Sequence, residues 1–281
     1  MITVGLAQIT TIPGAVEANR DLIHAALCDL SAQGAQLVVL PELTACGYTL
    51  DHEILTAASE KVPGPTTDAW CEHARSSSSI VIGGLCERDG TKLWNSVVAV
   101  DGNGVFLHYR KLHLFAAEKQ VFTPGDLGLP IANTPLGCLG ACVCYDLRFP
   151  EVLRLLALRG AELVCIPSAW VAGFDTRLDN RTHGCAQSDG AQLQANLNQV
   201  FVVAASQAGT TAGFSFLGSS LVVDPTGTPL VGPRGRTEVW SGVCDIALDA
   251  VSVAQDRGSG ILPREDRRTD VYSIRYGGEE W

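Results

Sequence analysis

No stretch of this chain is apolar for long enough to cross a membrane. The longest run without a charged residue, residues 190–223, is interrupted throughout by Gln, Asn, Ser, Thr and Gly, and lacks the roughly 18 apolar residues that a span requires. No basic segment precedes an apolar one at the N-terminus, where residues 1–8 run directly into a strand-like pattern. No export signal is therefore expected, and a soluble, cytoplasmic protein is. Positive charge is scarce: 20 Lys and Arg face 30 Asp and Glu, for a net charge of −10. That balance argues against nucleic acid or an anionic membrane as a partner. The 10 cysteines include no CxxC pair, and no His pair follows Cys138, Cys142 and Cys144 at zinc-site spacing. Reduced, buried thiols are expected, without disulfides, metal or organic cofactor. No segment is rich enough in Pro, Gly or Ser to divide the chain.

What is present reads as alternating strands and helices. Hydrophobic residues make up 46% of the chain and charged ones 18%, as a globular protein requires. Residues 2–8 alternate as a strand, and Leu22, Ile23, Ala26 and Leu30 mark a helix over 16–30. A Gly near its end, a continuous apolar run and a stopping Pro follow in residues 34–41, and Glu42 comes next. The same arrangement recurs in residues 160–167 after an apparent helix, which suggests two structurally related halves. Continuous rather than alternating apolar residues suit strands covered on both faces. Asp101-Gly-Asn-Gly104 is a hairpin signal, and the partner strand, 105–110, delivers Lys111 at its far end.

Residues 139–151 carry the sharpest local signal. A buried strand bounded by a Gly pair before it, Gly137 and Gly140, stops at Cys144, and Pro150 opens a helix. The C-terminal edge of such a sheet is where ligands meet the protein, and amides of the turn can face developing negative charge. Glu42, Lys111 and Cys144 thus all stand at strand ends. A thiol needs a base or a cation to become a useful nucleophile, and a buried carboxylate and ammonium can supply both. The chain uses 16 Arg and only 4 Lys, so a Lys beside Arg110 suits a compact charge for an oxyanion. Each residue taken singly also has an ordinary reading: Glu42 as a turn residue, Lys111 as a surface lysine, Cys144 as a structural thiol.

Together, Leu40-Pro-Glu-Leu43, Tyr109-Arg-Lys-Leu-His-Leu-Phe115 and Cys144-Tyr-Asp-Leu-Arg-Phe-Pro-Glu151 resemble the three catalytic motifs of the nitrilase superfamily of carbon-nitrogen hydrolases, in the expected order. The likeness extends from Ala7-Gln8 to residues 267–272. It implies an α/β fold of the four-layer α-β-β-α sandwich type, two β-sheets flanked by helices, over residues 1–265. The tail, 266–281, shows little pattern and is expected to fray or to pack on another subunit. The resemblance further implies a Glu42-Lys111-Cys144 triad, Glu118 as a second, substrate-positioning glutamate, and at least a homodimer. Two features depart from the family pattern: Gln194 and Leu197 replace an Arg and a Glu, and Ser206 stands where Asn is frequent.

The expected reaction is cysteine-dependent hydrolysis of a small linear amide to a carboxylic acid and ammonia through a thioester, with Tyr145 and Arg148 also contacting substrate. The motif around Cys144 resembles amidase-type branches, including those acting on ω-amides of dicarboxylic acids. Arg148, Arg177 and Arg181 are candidates to hold the carboxylate of such a substrate. An N-carbamoyl amino acid or a nitrile would use the same triad. A non-catalytic binding protein of the same fold is the alternative from another class.

Overall fold

The computed structural model describes residues 1–173, 184–237 and 239–281. Its first half runs β1 (Ile2–Gln8), α1 (Val16–Ala32), β2 (Leu37–Val39), α2 (His52–Ala58), α3 (Pro65–Ser77), β3 (Ile80–Asp89), β4 (Lys92–Asp101) and β5 (Gly104–Arg110). The second continues with β6 (Ile131–Thr134), β7 (Gly137–Ala141), α4 (Pro150–Leu158), β8 (Leu163–Ser168), α5 (Ala186–Asn198) and β9 (Phe201–Ser206). A small hairpin, β10 (Thr210–Thr211) and β11 (Phe214–Ser215), precedes β12 (Leu221–Val223), β13 (Pro229–Val231), β14 (Trp240–Ile246) and α6 (Asp249–Gln255).

Two six-stranded sheets result, in the orders β14-β1-β2-β3-β4-β5 and β6-β7-β8-β9-β12-β13. Each has the same grammar. An antiparallel edge strand leads to three parallel strands, and two antiparallel strands complete the sheet. The repeated Gly-to-Pro segments occupy equivalent places, β2 and β8, each central in its sheet. The two halves read from the sequence are therefore two versions of one sheet. The sheets face each other through β1, β2 and β3 on one side and β8 and β9 on the other.

Burial on both faces explains the continuous apolar runs. In and beside β2, Leu37 and Val39 join the core between the sheets, whereas Val38 and Leu40 pack with Ile23 and Leu27 of α1 and Trp70 of α3. Leu153 and Leu156 of α4 and Ala191 and Ala195 of α5 belong to the cluster that includes the second sheet. Each fully buried Val or Leu contributes roughly 1.5–3 kcal/mol of transfer free energy. The order of layers is helix, sheet, sheet, helix, as the resemblance implied.

Some expectations differ in detail. The strand before Cys144 ends at Ala141 rather than at Cys144: the Cys142 N–H still donates to the Cys165 carbonyl of β8 at 3.2 Å, but the Val143 N–H is taken by the Asp146 carboxylate at 2.9 Å. The short helix α2 escaped a periodicity reading, being only seven residues long, although Asp51 caps it by accepting from the N–H groups of Glu53 and Ile54. The C-terminal tail has short regular structure. It closes as a hairpin of β15 (Arg275–Tyr276) and β16 (Glu279–Glu280), and lies on the chain's own body. The Leu129 N–H donates to the Tyr276 hydroxyl at 2.5 Å, and the Arg159 guanidinium stacks 5.0 Å from the Tyr276 ring.

Candidate active site

Glu42 follows β2 by three residues, Lys111 follows β5 directly, and Cys144 follows β7 by three. Two glycines allow these loops to close in. A Cβ on Gly84 would fall among the backbone atoms of Glu42 and Leu43, and one on Gly125 would collide with the Arg110 carbonyl. Gly84 instead donates its N–H to the Pro41 carbonyl at 3.1 Å, and Gly125 to the Lys111 carbonyl at 2.8 Å. The backbone of Lys111 is also tied to β4, its N–H donating to the Asn95 carbonyl at 2.8 Å.

The side chains form a buried ionic cluster. Lys111 Nζ lies 2.6 Å from Glu42 Oε1, and 3.0 and 2.9 Å from the two oxygens of Glu118. The Lys111 and Glu42 side chains are 0% exposed and that of Glu118 1%. Asn95 Nδ2 also donates to Glu42 Oε1, at 2.7 Å, and the Gln207 amide to the Glu42 carbonyl at 2.9 Å. Glu42 Oε2 is buried and finds no hydrogen-bond partner among the described residues. Glu118 is better satisfied: Tyr48 OH donates to Oε1 at 2.8 Å and the Phe115 N–H to Oε2 at 2.9 Å.

Burial, reinforced by the Glu118 charge, pushes the Glu42 carboxyl above the ordinary range, although Lys111 pulls the other way. For Lys111, burial works against the ammonium, but Glu118 and Glu42 together outweigh it and hold the proton firmly. Burial and then the Glu42 charge push the Cys144 thiol well up, against the pull of Lys111. Burial thus favours the neutral thiol on Cys144, and the charges of Glu42 and Lys111 act on it with opposite sign.

Cys144 occupies the left-handed region, φ 46°, and opens a single 3-10 turn over Cys144–Arg148. That strained backbone is held by Asp146. Its Oδ2 accepts from the Val143 N–H at 2.9 Å and from Tyr109 OH at 2.7 Å. Oδ1 accepts from the His113 N–H at 3.0 Å, with His113 Nδ1 2.8 Å away. Tyr109 OH in turn accepts the Leu112 N–H at 3.1 Å. One fully buried carboxylate therefore ties the turn carrying Cys144 to the segment carrying Lys111. The His113 ring stacks on Phe149, 3.6 Å between centroids, which closes the same knot.

Cys144 and Glu118 line a common pocket with Tyr48, Phe115, Tyr145 and Trp170, and Arg148 stands on its wall. Its enclosed space is about 80 Å³, which suits a small substrate. Arg148 is exposed and Tyr145 half-buried. Arg177 and Arg181 lie outside the described residues.

The sequence profile of the carbon-nitrogen hydrolases matches residues 3–257. The chain belongs to that family, within the nitrilase superfamily. It is 36% identical over 222 residues to a nitrilase of Pyrococcus abyssi, covering 78% of this chain and 80% of that protein. To omega-amidase NIT2 of Bos taurus it is 32% identical, over 88% of each chain. Among solved structures, an amidase from Nesterenkonia sp. superposes with a TM-score of 0.76 at 28% identity, over 96% of this chain and 94% of that one. One variant of that amidase shows Michael addition of acrylamide at its active site cysteine. These relatives place the carbon-nitrogen hydrolase reading on amides, with a cysteine as the reacting group.

The structure of this carbon-nitrogen hydrolase brings Glu42, Lys111, Glu118 and Cys144 together, and sets Tyr145 and Arg148 around the pocket. Sequence reading missed the supporting residues Tyr48, Asn95, Asp146 and Gln207. Only Asp146 carried a visible signal, as the single acidic residue between Cys144 and Arg148. The departures from the family pattern are accommodated without charge. Gln194 accepts twice from Asn198 Nδ2, through its backbone and side-chain oxygens, each at 2.8 Å, and Leu197 points outward. Ser206 Oγ accepts the Trp170 N–H at 3.2 Å.

Proposed function

We propose that this chain hydrolyses a small linear amide to a carboxylic acid and ammonia, with Cys144 as nucleophile, Glu42 as general base and Lys111 as oxyanion stabiliser. The observation that supports this most directly is the division of labour on Glu42. Oε1 is occupied by Lys111 and Asn95, while Oε2 keeps a lone pair for a proton.

Glu42 accepts the Cys144 thiol proton as the sulfur adds to the amide carbonyl. Protonation removes the negative charge nearest Lys111, so more of the ammonium's field acts on the oxyanion at the moment it forms. The backbone N–H of Tyr145 adds a second donor. Glu42 then returns the proton to the departing nitrogen, ammonia leaves, and a thioester remains on Cys144. Water gives a proton to the same carboxylate and adds to the thioester. Collapse releases the acid, and the proton returns to the sulfur. Glu118 keeps Lys111 in register and charged throughout.

The finer reading is an ω-amide of a dicarboxylic acid, whose free carboxylate the Arg148 guanidinium would hold as a bidentate pair. The 32% identity to omega-amidase NIT2 supports it. The functional unit we assign to residues 1–265, with a homodimer as the working assembly and the tail at its contact. The test is ammonia release from ω-amides, simple aliphatic amides, N-carbamoyl amino acids and nitriles, with intact-mass analysis of the enzyme. Cys144→Ala should remain folded, release no ammonia and accumulate no acyl adduct. Full turnover in that variant would refute the triad. Turnover of nitriles or N-carbamoyl amino acids alone would replace the amide reading.

A further inference from the structure

Outside the pocket, a second cluster of chemically active side chains lies in the groove between α1 and α3. His24 and Cys28 stand one turn apart on α1, and His73 comes from α3. A ring nitrogen from each histidine and the Cys28 sulfur all lie within 4.8 Å of one another. Cys28 Sγ is 3.5 Å from His24 Nε2, and the two imidazoles meet edge to face at 6.2 Å. His24 and Cys28 are exposed, whereas His73 is 8% exposed. The Ser31 hydroxyl fixes the His73 ring, 2.9 Å from Nε2.

We propose that His24, Cys28 and His73 form a three-ligand zinc site that clamps α1 to α3, with water in the fourth position. Spacing of i and i+4 puts two ligands on one helix face, and the third is already oriented by its own hydrogen bond, as ligating histidines usually are. Zinc takes nitrogen and thiolate ligands at about 2.0–2.3 Å in a tetrahedron. Ligands around such an ion are roughly 3.5 Å apart, so the exposed pair need only turn inward by rotamer changes. Binding converts the Cys28 thiol to a thiolate, and its proton goes to solvent.

The surroundings suit a cation. Asp21 and Glu72 line the same groove, opposed by Arg20. Two imidazoles and a thiolate with an open fourth position form a ligand set that zinc takes. The site is separate from the catalytic pocket and does not depend on the amidase reading.

The experiment is zinc titration of the full-length protein against a chromophoric chelator, with cobalt as a spectroscopic probe. The intact protein should bind one equivalent of zinc, and cobalt should show thiolate charge-transfer absorption. His24→Ala and Cys28→Ser, both at exposed positions, should weaken zinc by on the order of 100-fold and abolish that absorption. Both should leave ammonia release unchanged. Equal zinc affinity in the intact protein and both variants would overturn the proposal. Binding lost instead in Cys144→Ala would also overturn it, by placing the metal at the pocket thiol.

Discussion

Asp146→Asn probes the knot that holds the turn carrying Cys144, the proposed nucleophile. Each oxygen of Asp146 accepts one backbone N–H, Val143 on Oδ2 and His113 on Oδ1. An asparagine has a single oxygen. Whichever way its amide turns, the NH2 group faces one of those N–H groups, so at least one bond is lost and one backbone donor is stranded. Hydrogen bonds to a charged acceptor are worth about 1.5–3 kcal/mol and a stranded buried donor costs about 1–3 kcal/mol. The two overlap, and a total near 2–4 kcal/mol of folding stability is expected. The stranded donor belongs to one of the two segments that position Cys144 and Lys111, so part of the loss appears in the reaction. If about 1.4 kcal/mol of it falls on the transition state, kcat drops roughly tenfold. Urea unfolding measures the first quantity and ammonia release under saturating amide the second. A variant as stable and as fast as the parent would show that Asp146 does not hold the turn.

Two other predictions concern protons. Glu87 is buried and receives bonds from His108, Arg110 and Ser96; burial raises its carboxyl, but these partners outweigh it and bring it down to about 2 from 4.5. A depressed carboxyl stabilises the fold above its unfolded value, so up to about 3 kcal/mol should be lost as pH falls from 4.5 towards 2. Glu87→Gln should flatten that part of the urea-stability profile; an unchanged slope would remove Glu87 as its source. At the active site, the raised Glu42 carboxyl should put the acid limb of kcat/KM above pH 4.5. Glu118→Gln should move that limb to lower pH, because Glu118 is one of the charges that raise Glu42. A limb that stays in place would separate Glu42 from the rate.

Much of the fold was legible because the strands are covered twice. Continuous apolar runs ending in Pro at 41 and 167 betrayed β2 and β8, and Asp101-Gly-Asn-Gly104 marked the turn between β4 and β5. Short or edge elements carried less signal. β6, α2, β13 and α6 are at most seven residues long, and their burial is decided by neighbours distant in sequence. The tail lacked any periodicity, since its hairpin is two residues wide and is held by Tyr276 against Leu129 and Arg159.

For the site, the sequence by itself determined the candidate groups: a thiol at a strand-to-helix turn, a carboxylate behind a strand-ending Pro, and a Lys at a strand end. It also set their order along the chain. What only the tertiary structure decided is which atoms are free to react. Lys111 is wedged between Glu42 and Glu118, one oxygen of Glu42 is left open, and Asp146 ties the Cys144 turn to the Lys111 segment. His73 reaches His24 and Cys28 only because α1 and α3 pack on the same sheet. A residue's type is local, whereas its proton affinity and its unsatisfied lone pairs are set by partners tens of residues away, which only folding brings within a few ångströms.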